Sequence, residues 1–370
     1  MQSALSPSPS VPEGVVPDPR ATVLDLFSGA GGMTEGFHAA RAFRTVQAVE
    51  MDPQAAASYA ATFGDIVHVG PIGDWLRTCE VPSVDVIIGG PPCQGFSTLG
   101  KRDVEDVRNV LWRDYARTIV RAQPKYFVLE NVGAFLKSSQ FGDLRAATEP
   151  DGLLADYDFE AGLLNAADYG AAQARRRTIL IGHRRDVPSP GLPMPTHVGR
   201  HVTLLEILGG VPLRVETTDL PERRTPVGGR SLPGVFSTSE LHIGRTYSPI
   251  SMKRIRSIED NGNRFDIPWE LLPACWKKHT TGSADVMGRL SWHKPSVTIR
   301  TEFFKPEKGR YLHPVEHRAL THYEAALIQG FPPHHKWVGS KVSIARQIGN
   351  AVPIPLGKAI ASHLARALAD

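Results

Sequence analysis

The chain has 370 residues, 41% of them hydrophobic and 22% charged, a water-soluble globular composition with room for two domains. No apolar run approaches bilayer-spanning length, which argues against a membrane protein. A formal charge of +4 and a pI near 8.9 permit an anionic partner without demanding one.

Residues 1–19 are rich in Ser, Pro and Val and lack a basic segment followed by an apolar core, so they read as a disordered leader rather than a signal peptide. Thr22 to Phe27 reads as a buried strand, followed by a glycine loop, Ser28-Gly29-Ala30-Gly31-Gly32, and a helical stretch from Met33 to Arg41. Val46 to Glu50 is the next strand. Asp52 then caps a helix opening with Pro53. Val84 to Ile88 is a further strand, and it runs into Gly89-Gly90-Pro91-Pro92-Cys93. Glycines let the backbone turn sharply and prolines stiffen it, so this loop presents Cys93 at the end of a sheet. A structural turn with a small buried cysteine is the alternative.

Apolar residues at Val107, Val110, Leu111, Tyr115, Ile119 and Val120 have helical spacing, and Pro124 stops that helix. Tyr126 to Leu129 is a strand ending at Glu130-Asn131-Val132. Phe159 to Leu164 and Thr178 to Ile181 complete a mostly parallel α/β sheet. Residues 188–315 are rich in Pro, Gly, Arg and Lys and weakly periodic. Order returns at Thr321 and Glu324, which have capping-box spacing before a short helix to Gln329, and Pro355 to Leu368 is an amphipathic helix. The expected units are a leader (1–19), a catalytic and cofactor-binding domain (20–187), a small domain (188–335) and a C-terminal segment returning to the first domain (336–370).

Three cysteines, Cys79, Cys93 and Cys275, form no C-x-x-C pair and sit beside no histidine cluster. Neither a structural zinc nor a disulfide framework is expected, and a reducing cytoplasm is. His313, His317, His334 and His335 read as surface or packing residues. Glu50, at a strand end, suits the two hydroxyls of a ribose or is a solvated acid. The glycine loop departs from G-x-G-x-x-G spacing and alone marks either a cofactor loop or a tight turn.

Taken in order, the glycine loop, Glu50, Pro-Pro-Cys93-Gln94, Glu130-Asn131-Val132 and Gln173-Ala174-Arg175-Arg176-Arg177 resemble the cytosine-C5 DNA methyltransferases. Arg318-Ala319-Leu320-Thr321 with Glu324 and Gln329-Gly330-Phe331-Pro332 is similar to the family's ninth motif, and Gln347-Ile348-Gly349-Asn350-Ala351-Val352-Pro353 to its tenth. The resemblance covers roughly residues 22–187 and 316–366. It implies a Rossmann-like methyltransferase domain with a smaller, irregular DNA-recognition domain, S-adenosylmethionine as cofactor and duplex DNA as substrate.

C5 of cytosine is a poor nucleophile, and a thiolate adding at C6 turns the ring into an enamine whose C5 attacks an electrophilic methyl. The resemblance makes Cys93 that thiolate and Glu130 the acid holding N3 and the exocyclic amine. Arg175 and Arg177 alternate and share a face if extended. They are expected to bind the base and stabilise Glu130, with Arg177 at the cytosine carbonyl, while Asn131 braces the loop. By the same resemblance Phe27, Ser28, Gly32 and Met33 line the methionine side of the cofactor, Glu50 takes the ribose, Met51 packs on the adenine, and Asn350 and Val352 close the site. The family often carries an Asp in its third motif. Here Pro71 stands near that position and has no side-chain acceptor, so adenine recognition is assigned to Ile72 or its backbone.

Methyltransferases of this kind flip their base. The loop after Cys93 is polar and basic, and Ser97, Lys101 and Arg102 are expected to touch phosphates. In the small domain Arg223-Arg224, Lys253-Arg254-Ile255-Arg256, Lys277-Lys278-His279 and Lys305 suit phosphates or guanine edges, or are solvated charges. A monomer serving restriction–modification, with a cognate endonuclease acting separately, is the expected setting. Two alternatives stay open: a tRNA cytosine-C5 methyltransferase, and a non-catalytic DNA-binding regulator on the same fold.

Overall fold

The computed structural model describes residues 18–92, 111–278 and 281–369. Cys93, Ser97, Lys101, Arg102, His279 and residues 107–110 of the expected helix lie outside the described residues, as does most of the leader.

The first half alternates strand and helix: β1 (Ala21–Leu26), α1 (Gly32–Ala39), β2 (Phe43–Glu50), α2 (Pro53–Phe63), β3 (Val67–Val69), α3 (Ile72–Thr78), β4 (Val86–Gly89), α4 (Leu111–Ala122) and β5 (Tyr126–Val132). After α5 (Ser139–Ala146) come β6 (Tyr157–Asn165), the two-residue β7 (Gln173–Ala174) and β8 (Arg176–Arg184). The large sheet runs β3-β2-β1-β4-β5-β8-β6. Its first five strands pair in parallel, and β8 pairs antiparallel with both β5 and β6. The sheet is therefore mostly parallel, with the Rossmann-like alternation expected. The chain leaves β1 for β2 on one side and later returns to β4 on the other, which opens a crevice at the carboxyl ends of β1 and β4.

Alternation within the strands explains why they read as unbroken apolar runs. Val23, Val86, Ile88 and Val128 face one core with Phe37 of α1. Leu24, Leu26, Ile87, Phe127 and Leu129 face another with Trp75, Tyr115 and Ile119. Both faces are covered, so both favour apolar side chains.

The second half is built from short pieces: α6 (Leu204–Leu208), a hairpin of β9 (Arg224–Val227) and β10 (Arg230–Ser237), α7 (Pro249–Arg256), α8 (Ala274–Lys278) and β11 (Ser296–Val297). Gly228 and Gly229 both take positive φ, 53° and 75°, as a two-residue hairpin turn requires. Then follow α9 (His322–Gln329), β12 (Lys336–Val338), α10 (Lys341–Asn350) and α11 (Ile354–Ala369). The capping box at α9 forms as its spacing implied: the Thr321 hydroxyl accepts the Glu324 N–H, and the Glu324 carboxylate accepts the Thr321 N–H.

A second core joins Leu204, Phe236, Ile299, Phe303, Leu320, Ile328, Trp337 and Ile348. The C-terminal segment is shared between the cores. β12 pairs with β10 and α10 enters the second core, whereas α11 lies on α1 beneath the large sheet. Gly36 and Gly357 let those two helices touch, since a Cβ on Gly36 would stand 2.7 Å from the Gly357 backbone.

Candidate active site

The glycine loop sits at the crevice and is held by Glu50. One oxygen of its carboxylate accepts the Gly29 N–H at 2.8 Å and the other the Asp52 N–H at 2.7 Å. Burial pushes the Glu50 pKa up, and these backbone donors pull against that shift. Asp52 in turn caps α2 by accepting the Gln54 and Ala55 N–H groups. Gly31 has φ 90°, a left-handed value, and a Cβ there would lie 2.2 Å from the Phe63 ring. Across the loop, a Cβ on Gly32 would meet the Val352 carbonyl oxygen at 3.0 Å, so the turn after α10 closes directly onto the loop.

The expected cofactor residues divide by surroundings. Phe27 is half-buried with φ 56°, and Met51 is 67% exposed. Met33, Ile72 and Val352 are buried, and Asn350 is exposed at the end of α10. Ser28 is buried with its hydroxyl unpartnered among the described residues.

Near the carboxyl end of β5, Glu130 on β5 and Arg177 on β8 form an ion pair, Nε to Oε1 2.9 Å. The antiparallel register brings them together, with Val132 opposite Arg177. A Cβ on Gly90 would stand 3.1 Å from Glu130 Oε2, so the Gly-Gly-Pro-Pro loop passes against this carboxylate. Asn131 braces that loop, donating from Nδ2 to the Pro91 carbonyl at 3.1 Å. The chain is described up to Pro92, the residue before Cys93.

Arg175 and Arg177 do not meet at one carboxylate. Arg175 lies between β7 and β8 and is buried, and its Nη1 donates to the carbonyls of Ile299 and Gly349, each at 3.0 Å. Burial and the neighbouring Arg177 charge push its pKa down, and Glu130 pulls it back up. Arg176 is exposed.

One group here escaped sequence reading. Asp25 is buried inside β1 and accepts the Thr34 hydroxyl at 2.6 Å, which in turn contacts the Tyr59 hydroxyl at 3.0 Å. Burial pushes the Asp25 pKa up to about 7, with Thr34 opposing and Glu50 reinforcing the shift. The available signal was an acid within an otherwise apolar strand.

Several basic residues of the second region are already engaged. Arg223 pairs with Glu240, Arg224 bonds Ser231, Arg254 donates to the Leu271 carbonyl, and Lys305 pairs with Glu302. Lys253 and Arg256 are exposed on α7.

The family profile of the C-5 cytosine-specific DNA methylases matches residues 21–366, and the chain belongs to that family; it is a DNA cytosine-C5 methyltransferase. Among its relatives, the type II methyltransferase M1.HphI of Haemophilus parahaemolyticus is 34% identical, over 92% of this chain and 85% of the relative. M.XorII of Xanthomonas oryzae pv. oryzae is 31% identical, over 93% of this chain and 84% of the relative. Among solved structures, an E. coli prophage protein described as a DNA modification methyltransferase superposes with a TM-score of 0.70 at 25% identity, covering 95% of this chain and all of that one. The Dnmt2 methyltransferase of S. pombe shares the fold, at TM-score 0.59 and 16% identity.

Proposed function

We propose that the protein methylates C5 of a cytosine flipped out of a specific duplex DNA sequence, through a covalent bond between Cys93 and C6, as the modification half of a restriction–modification pair. The observation that carries this reading is the Glu130–Arg177 ion pair at 2.9 Å, set against Gly90 on the same sheet edge as the Glu50-clamped glycine loop. These residues support the reading: Glu130 would serve as the acid for N3 and Arg177 as the cation for the carbonyl oxygen, near the glycine loop that would take the cofactor.

The residues fit S-adenosylmethionine. The buried Ser28 hydroxyl lacks a partner among the described residues, Gly32 lets the 351–352 turn close directly onto the glycine loop, and Glu50 ends the second strand, where a ribose diol would be bound. Phe27 and Met33 border the methionine side, Met51 and Ile72 the adenine, and Asn350 and Val352 close the far wall. When bound, the cofactor supplies an electrophilic methyl on a sulfonium.

The chain's own groups act on the base. The Cys93 thiolate bonds to C6, and the electron pair of the C5–C6 bond moves to C5. Glu130 holds a proton at N3, and Arg177 faces the carbonyl oxygen, so the charge arising during attack is offset. Arg175 acts at one remove, holding the Ile299 and Gly349 carbonyls beside the strand that carries Arg177. C5, made nucleophilic in this way, would then take the methyl that the bound cofactor supplies. Loss of the C5 proton to solvent then expels the thiolate. Ser97, Lys101 and Arg102 would hold phosphates around the flipped nucleotide, and residues 188–335 would read the flanking sequence. Bisulfite sequencing of DNA from cells expressing the protein tests the reading. One short motif should be methylated at a fixed cytosine, and DNA without 5-methylcytosine alongside methylated RNA would replace duplex DNA by RNA as substrate.

A further inference from the structure

Two glutamines, Gln173 and Gln329, stand in motifs whose chemistry assigns them no task, yet both are fully buried. Their amides meet. Gln173 Nε2 donates to Gln329 Oε1 at 2.7 Å. Gln173 Oε1 accepts the backbone N–H of Ile299 at 3.0 Å. Gln329 Nε2 donates to the Ile348 carbonyl at 2.5 Å and reaches the Ala351 carbonyl at 3.4 Å. The orientation of both amides is fixed by chemistry. A backbone N–H only donates and a carbonyl only accepts, so each amide can point one way.

Through Gln173 and Gln329 the relay joins two segments distant in sequence. At one end is residues 296–301 of the second region, where β11 pairs with β7. At the other is the turn 348–352, which closes onto Gly32 of the glycine loop. Arg175 doubles the link by donating to both Ile299 and Gly349, and it lies two residues from Arg177 of the base site. Gly349 touches the same partner directly, since a Cβ there would lie 2.5 Å from the Arg300 carbonyl carbon and Thr301 nitrogen. Segment 296–301 and the turn against the glycine loop are thus tied together through side-chain hydrogen bonds.

We propose that Gln173 and Gln329 are positioning residues that set the 348–352 turn against the glycine loop according to the seat of segment 296–301, so that cofactor and DNA binding are linked through them. This rests on the reading of the site given above. Linkage requires that the factor by which DNA tightens the cofactor equal the factor by which the cofactor tightens DNA.

Calorimetry with S-adenosylhomocysteine and a short duplex carrying the methylated site measures both factors. In the wild type both should equal about fivefold or more. In Gln329→Met, which keeps the bulk and removes the three hydrogen bonds of the Gln329 amide, both factors should fall together toward one. Gln173→Glu, which accepts from Ile299 but no longer donates to Gln329, should do the same if Gln329→Met does not fold. A purely structural role would lower the melting temperature and leave the two factors at their wild-type value, which would overturn the proposal, as would a wild-type factor of one. A wild type that binds neither S-adenosylhomocysteine nor duplex fails at the earlier step, the methyltransferase site itself.

Discussion

The two halves of the molecule satisfy their buried backbone in different ways. In the first, carbonyls and N–H groups pair within a seven-stranded sheet. In the second, long side chains do much of this work. Arg289, 2% exposed, donates to the carbonyls of His313 and Glu316 at 2.8 Å each and reaches those of Ile255 and Ile258. Arg310 donates to Asn261, Gly262, Arg289 and Ala284, and Arg264 to Thr281. A positively charged, irregular region thus spends part of its charge on its own loops. Basic composition there overstates what remains for DNA.

The sharpest difference is chemical, because the groups proposed to act on the base lie at strand ends of the first half's sheet. Arg177→Ala should lower turnover by about 10²–10³-fold, by removing the cation beside Glu130, with little change in fold. Single-turnover methylation on DNA measures this, and a loss below about threefold would remove Arg177 from the reaction.

Next comes stability in the second half. Arg289→Met keeps the stem and removes the guanidinium that holds four carbonyls. It should cost about 2–4 kcal/mol in urea unfolding. A cost under about 0.5 kcal/mol would show that these carbonyls find other partners and that the contrast between the halves is false.

The smallest effect separates the halves by pH. His313 and His322 belong to the second half, and burial pushes both pKa values down to about 4. The unfolded chain then binds more protons than the folded one between about pH 4 and 6.5. Their contribution is lost as pH falls through that window. Asp25 in the first half has the opposite sign. Its pKa rises on folding from 3.8 to about 7, so its contribution is present at low pH and lost as pH climbs through that range. Asp25→Asn keeps an acceptor for Thr34 and removes the titration. The variant should match the wild type near pH 4 and exceed it by on the order of 1–3 kcal/mol at pH 8. Equal urea midpoints at both pH values would mean that Asp25 is not ionised against its surroundings.

The same contrast explains what the sequence made legible. Strands covered on both faces leave apolar runs, and Val86 to Ile88 or Phe127 to Leu129 show them. The helix starts at Asp52 and Thr321 were readable because caps act over three residues. The three-residue β3 and the seven-residue α3 left too short a pattern to see. The antiparallel course of β8 depends on where the chain crosses the sheet, which no local pattern records. In the site, Glu130 and Arg177 were named from their motifs and do meet. Arg175 went elsewhere because the alternation rule presumes an extended strand, and the chain leaves the strand at that residue. Gln173 and Gln329 meet from places 156 residues apart in sequence, which only the folded chain brings together.

The central claim is that the loop leaving β4 carries a thiol to cytosine C6 beside Glu130. Transfer of a labelled methyl from S-adenosylmethionine to duplex DNA, followed by digestion to nucleosides, tests it in wild type and Cys93→Ser. The wild type should yield labelled 5-methylcytosine, and Cys93→Ser should bind the same DNA while yielding none above background. Labelled 5-methylcytosine at the wild-type rate from Cys93→Ser would contradict the mechanism.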